Sequence, residues 1–440
     1  MTWPGAPLDP GGTIGGIEAR RERPTGNRAA GAHREFAGRL LRHYPVTVVV
    51  LAPYALLILP MALFYQNPQT GFIVSLVGLA LLGSVAVETI SRLFGRPDPR
   101  WREGIRRAHA RYTWLYPVAR LVTLISIAAN VLGAHLGRGT IVNQVSGELS
   151  DGPVALVSTL FSGWQVLGFA LLVASYLSGR LSLAKLYGWL AVLVGAEAYV
   201  AMLTALTAPL VGLVFFVAAT GALCGVFRLR HLVLCAVVLF LLWPALFAQR
   251  NSIREDRGVA VDTQVTATDR LRLDRQLSVV SGFQVPVDLG QPGVTDYLRY
   301  GLVPRVLDPD RPALSTGQRI NQYIGGGPTS AYTFLLLGNI WFFDGPIGVI
   351  AVHAFWAAVA GVLLRWRGAP GPFRLSLFCL VLSDPLLWSN TYPDSTISFL
   401  QHAVSAIPVF VLLWLSRSAP DRSGGRPDIV RMSPIAGTAR

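Results

Sequence analysis

Lysine is almost missing from this chain: Lys185 stands alone among 440 residues, so arginine supplies all but one of the 38 basic side chains. Cysteine is nearly as scarce. Cys224, Cys235 and Cys379 lie in apolar stretches without Cys-x-x-Cys spacing, so neither a disulfide framework nor a zinc site is signalled. The seven histidines are scattered, with no His-Glu-x-x-His cluster, and no bound metal or cofactor is expected. Charged residues make up 14% of the chain against 52% hydrophobic, too little charge to keep a soluble fold in water. Alternating ten-residue segments, the mark of a membrane barrel, are also absent.

What is present is a series of apolar stretches of roughly 18 to 25 residues, which in lipid must close their backbone hydrogen bonds as helices. The fold expected is an all-α integral membrane bundle of about ten transmembrane helices. The spans predicted are 45–65, 71–90, 112–136, 153–177, 187–206, 210–227, 232–248, 346–364, 375–389 and 397–415. The seven-span region 45–248 and the three-span region 346–415 are separated by a large extracytoplasmic loop, 249–345. The ends, 1–37 and 416–440, read as cytoplasmic tails, the first rich in Gly, Pro and Arg and so disordered. No cleavable signal peptide is expected before the first span.

Orientation follows from the arginines. The N-terminal tail, SRLFGRPDPRWREGIRRAHAR, SGRLSLAK, RLRH, RWRGAPGPFR and the tail from Arg417 are basic and are every second connection. YQNPQT, GRGTIVNQVSGELSDG, TALTAP and NTYPDST are nearly free of positive charge. Positive segments stay inside, so both termini are expected on the cytoplasmic side of a multi-pass plasma-membrane protein. The net charge of +14 therefore reads as topology, and no nucleic-acid partner is expected.

The loop is too long for the arginine rule and carries amphipathic pieces, TDRLRLDRQLSVV and TDYLRYGLV, so it reads as an ordered cap. SAYTFLLLGNIWFF is too short to span and is expected to form a re-entrant or interfacial helix before the Asp344-Gly345-Pro346 break. Arg299, Arg305, Arg311 and Arg319 are candidates to fork onto phosphate oxygens, and Asp308, Asp310 and Asp344 to act as a carboxylate base. Tyr300 and Tyr323 offer flat faces for sugar rings. The alternative is that the arginines pair with the loop carboxylates on a solvated cap. Within the bilayer, Arg120 and Glu197 are expected to neutralise one another, while Glu88 and Arg228 near span ends can snorkel.

The stretch VPRVLDPDRPALSTGQ, followed by GGGPTSAYTFLLLGNIWFFDGPIG, resembles the last large periplasmic loop and following helix of Wzy-type O-antigen polymerases, the oligosaccharide repeat-unit polymerases. The residues that match are Pro304 and Arg305, Pro309 to Pro312 with Arg311 in the basic slot, Gly317, Thr329 and Ser330, and Gly338 to Gly348. The chain departs at Asn339, where a glutamate is expected. The resemblance implies glycosyl transfer between undecaprenyl-diphosphate-linked oligosaccharides at the outer face, without a metal. Membrane lipids, a flippase and a chain-length regulator are the partners it implies. A ligase-like glycan transferase and a transporter or flippase are the competing readings; polar residues concentrated in one outer loop favour surface chemistry.

The topology is testable in intact cells with a membrane-impermeant thiol reagent. A cysteine replacing Thr140 is expected to react and one replacing Gly104 to stay unlabelled; the reverse pattern inverts the orientation.

Overall fold

In hydrocarbon a backbone amide has no water to bond, so an apolar segment is driven to satisfy itself as a helix. The outcome is seen in a computed structural model that describes residues 40, 43–94, 101–137, 158, 160–227, 229–256, 266–303, 307–308, 316–327, 331–365 and 368–417. Among these residues the regular structure is all helical, with no strand. In chain order come α1 (Pro45–Phe64), α2 (Thr70–Phe94), the amphipathic α3 (Trp101–Ala110), α4 (Leu115–His135) and α5 (Leu160–Leu177). They are followed by α6 (Leu183–Thr204), α7 (Ala208–Leu223), α8 (Leu229–Asp256), and the short α9 (Leu273–Ser278), α10 (Val294–Leu302) and α11 (Thr316–Tyr323). The last are α12 (Leu335–Arg365), α13 (Pro372–Ser383), α14 (Asp394–Ser405) and α15 (Ile407–Leu415).

Seven helices are long and apolar enough to cross a membrane: α1, α2, α4, α5, α6, α12 and the continuous run of α14 and α15. Helices α7 and α13 are apolar but shorter. Several boundaries differ from the sequence expectation, the largest at α12, which begins at Leu335 and breaks at Gly345 where a separate span was expected from 346. Helix α13 stops at Ser383, short of 389; α14 starts at Asp394, ahead of 397; and α8 continues past 248 to Asp256. Hydropathy marks where a helix is apolar, and a helix continues for as long as its backbone bonds are satisfied.

Helix α1 widens at Tyr54–Ile58, where the Leu59 amide bonds Tyr54 O five residues back. Pro60 has no amide to give and its ring crowds the preceding turn, which favours the looser winding. The bundle is organised around two long pairings, α2 along α12 and α4 along α5, with α13 packed against both α5 and α12. At the first, a side chain on Gly83 would meet Ile350 O at 2.3 Å, so only glycine lets the helices approach this closely.

Glu88 does not snorkel. It is fully buried and accepts the Val46 amide at 2.8 Å and the Thr47 amide at 3.4 Å, capping the first turn of α1. Arg365 adds a bond to Glu88 O at 3.1 Å and contacts Ser91 Oγ and His43 O.

At the opposite end, the chain between α8 and α12 folds over the helix ends. Val280, Val287, Ile320, Phe334, Phe342 and Phe343 form their own apolar cluster there. Helix α9 docks on the α1–α2 turn, where Asn67 Nδ2 donates to the buried Asp274 carboxylate at 2.9 Å. Arg272 grips the same carboxylate at 2.9 and 3.0 Å and lies 3.8 Å from the centre of the Tyr65 ring. Burial pushes the Asp274 carboxyl up, yet these bonds outweigh it and hold the group below the usual carboxylate range.

A carboxyl depressed in this way stabilises the fold above its unfolded value of about 4 and loses that contribution as pH falls through the folded value. Asp274→Asn is expected to cost about 1 to 3 kcal/mol at neutral pH. Its thermal midpoint and that of the parent protein should converge on acidification below about pH 4; a gap unchanged by acid contradicts the assignment.

Candidate functional site

The polar groups converge where the chain twice leaves helical geometry at the capped end. Leu335 opens α12 with φ at +62°, leaving first-turn amides to be satisfied from outside. Leu336 N donates to Trp388 O at 2.9 Å and Leu337 N to the Tyr54 hydroxyl at 3.3 Å. Asn339, fully buried, accepts Phe334 N at 3.0 Å and donates to Thr333 Oγ1 at 2.7 Å and Asn390 O at 3.3 Å. The residue standing where a glutamate was expected is thus a backbone clamp. Asn390 does the same for the end of α13, donating to Ser383 O at 3.2 Å and Asp384 O at 2.8 Å.

Ten residues into α12 the backbone breaks again at Gly345, with φ 66° and ψ −165°, a region open essentially to glycine alone. The break leaves Asp344 exposed just before the long apolar part of α12. Tyr392 hydrogen-bonds the Asp344 carboxylate, and Tyr297 of α10 hydrogen-bonds Tyr392. Burial pushes both tyrosines well above the usual phenol range, helped at Tyr297 by the Tyr392 phenol and the Asp344 and Asp394 carboxylates and at Tyr392 by the Asp344 carboxylate, so they act as fixed donors. Beside them, Asp394 at the start of α14 accepts Thr316 Oγ1 at 2.6 Å and Thr316 N at 3.3 Å, with Arg319 in electrostatic reach. Five elements distant in sequence therefore meet around two carboxylates.

The predicted residues divide sharply. Asp344 and Arg319 belong to this cluster, although Arg319 spends one nitrogen on Gly290 O at 2.8 Å and Leu289 O at 3.3 Å. Arg299 and Asp308 instead hold each other, at 2.7 and 2.5 Å, with the Asp308 bond raising the already high Arg299 pKa. For this pair the solvated-cap alternative is the better description. Tyr300 is buried, with its carbonyl accepting Gln401 Nε2 at 2.8 Å, so its ring is packing and not a sugar platform. Tyr323 remains half exposed, edge-on to Phe342 at 5.6 Å. Arg305, Asp310 and Arg311 lie outside the described residues.

The pairing of Arg120 with Glu197 is not made. Glu197 accepts Gln165 Nε2 at 3.1 Å, and Gln165 in turn accepts Asn130 Nδ2 at 3.4 Å. Asn130 is thus level with Glu197, and on α4 it lies about 15 Å beyond Arg120 at the helical rise. Arg120 is exposed, 5.7 Å from the Tyr116 ring centre.

Sequence reasoning missed Tyr392 and Asp394, and also the pair formed by Asp384 Oδ2 and His402 Nδ1 at 2.8 Å. The signal available was the run Asp384 to Asp394, whose polar residues are out of place between two apolar helices. Among the described residues no three His, Cys, Asp or Glu side chains converge as metal ligands. No family model matches the chain, and neither a curated protein nor a solved structure matches it.

Proposed function

We propose that this chain is a polymerase of undecaprenyl-diphosphate-linked oligosaccharide repeat units, spanning the cytoplasmic membrane ten times with both termini inside and its cap outside. The ten spans take in α7, α8 and α13 beside the seven helices already counted. The observation that carries the reading is the exposed Asp344 carboxylate at the capped end of the bundle, hydrogen-bonded by the Tyr392 phenol, which Tyr297 bonds in turn, with Asp394 and Arg319 beside them. Together with the loop's resemblance to repeat-unit polymerases, it supports glycosyl transfer at the membrane surface.

The chemistry is a displacement at the anomeric carbon. An acceptor hydroxyl oxygen forms the new glycosidic bond, its proton passes to Asp344, and the bond to the diphosphate breaks with the electron pair leaving on the phosphate oxygen. Tyr392 and Tyr297 fix the orientation of the base, and Tyr323 offers a half-exposed ring to the glycan.

Deleting the gene is expected to leave single lipid-linked repeat units and abolish long surface chains on gels. Asp344→Asn at normal abundance should slow chain extension by roughly a hundred- to ten-thousandfold. Long chains in the deletion strain overturn the polymerase reading, and a fully active Asp344→Asn protein removes the base role from this residue.

A further inference from the structure

The extension of α8 beyond its apolar stretch carries Arg250 and Arg254, one helical turn apart. The chain returns beside it at Asp269–Leu271 and α9, fixed by Trp243 Nε1 donating to Ala267 O at 2.8 Å. Arg270 comes within electrostatic reach of both Arg250 and Arg254, and both Arg270 and Arg275 come within such reach of Tyr332. Among the described residues none of these four arginines has a carboxylate within 4.0 Å, in contrast to Arg272 and Arg299. Of the acids nearby, Asp269 accepts Thr266 Oγ1 at 2.5 Å and lies within electrostatic reach of Arg275, so it offsets part of one charge of the four, and Glu255 and Asp256 are exposed.

This gathering of like charge is unfavourable by itself. Arg254 Nε is buried with no hydrogen-bond partner. Arg250 is pushed down to about 10 by burial first and then by Arg254 and Arg270, so it stays protonated at neutral pH and the repulsion persists. A multiply charged anion seated among the four would relieve it and complete the missing bonds.

The same helix indicates where that anion comes from. Phe240, 62% exposed, lies about 15 Å before Arg250 along the axis and about 40° around the helix from Arg254. An apolar chain lying on this face brings its head group to Arg250 and Arg254. A phospholipid phosphate diester brings one negative charge and a lipid diphosphate at least two, which better matches four guanidinium groups. We propose that Arg250, Arg254, Arg270 and Arg275 form the binding site for the diphosphate group of a long-chain lipid. The assignment of that lipid as the glycan donor rests on the polymerase reading, while the diphosphate chemistry rests on the arginines.

The test uses the full chain in phosphatidylcholine nanodiscs, titrated with undecaprenyl diphosphate, inorganic pyrophosphate or phosphatidylglycerol and read by native mass spectrometry. Saturable binding of undecaprenyl diphosphate is expected, weakened at least tenfold in Arg250→Gln/Arg254→Gln. Arg270→Gln/Arg275→Gln, which alters only exposed side chains, should weaken it similarly and guards against misfolding of the first variant. Arg106→Gln/Arg107→Gln removes the same charge elsewhere and should leave binding unchanged. Equal affinity for inorganic pyrophosphate overturns the lipid assignment, and displacement by phosphatidylglycerol overturns the diphosphate preference. Binding that is absent, or that falls equally in all three variants, overturns the site. Arginine-dependent binding in a protein whose deletion leaves long glycans intact would refute the polymerase reading and leave the site standing.

Discussion

A backbone amide inside hydrocarbon finds its partner within its own helix or not at all, and this constraint decides where the chain can afford to be irregular. The departures at Leu335, at Gly345 and between Ser383 and Asp394 gather at one end of the bundle. Each needs substitutes for the missing helical bonds. Asn339 and the Tyr54 hydroxyl supply them at the start of α12 and Asn390 after Ser383, from separate parts of the chain. The irregular backbone is thereby pinned at the end of the bundle where Asp344, Tyr392 and Asp394 lie.

The second ordering principle is the sorting of arginines. Arg272 and Arg299 are matched by Asp274 and Asp308 and hold the cap to itself and to the bundle. The two pairs are unequal: Asp274 is fully buried and receives three bonds, whereas half of Arg299 faces solvent, where an ion pair contributes less than about 1 kcal/mol. Arg250, Arg254, Arg270 and Arg275 lack such partners among the described residues. Guanidinium groups without a carboxylate partner are suited to meet an anionic head group.

How much was legible in the sequence follows from the range of each interaction. Apolar stretches and their approximate centres could be read because lipid solvation depends on composition alone. The end of α13 could not, since it is set by Asn390 reaching back to Ser383 and Asp384. The role of Asp394 depends on Thr316, 78 residues earlier, and that of Asp274 on Asn67, 207 residues earlier. Arg120 and Glu197 failed as a pair for a reason that was available: one lies near the start of its helix and the other beyond the middle, and the two helices, separated by a single span, run in the same direction. Equal depth, and not charge alone, is what pairing inside a bilayer demands. The density of polar groups in the loop directed attention to Asp344 and Arg319 but also to Arg299, which Asp308 holds, and to Tyr300, which is buried.

The central claim is that this chain joins lipid-linked glycan units to one another. The measurement that tests it most directly is a reconstitution of the purified protein in nanodiscs with undecaprenyl-diphosphate-linked repeat units isolated from its own cells, followed by gel and mass analysis of the lipid-linked glycans. The account predicts a ladder of products, each longer by one repeat and still attached to the lipid diphosphate. Repeat units that remain single while the protein is folded and bound to them, or transfer only to an acceptor that is not a lipid-linked repeat unit, would contradict it.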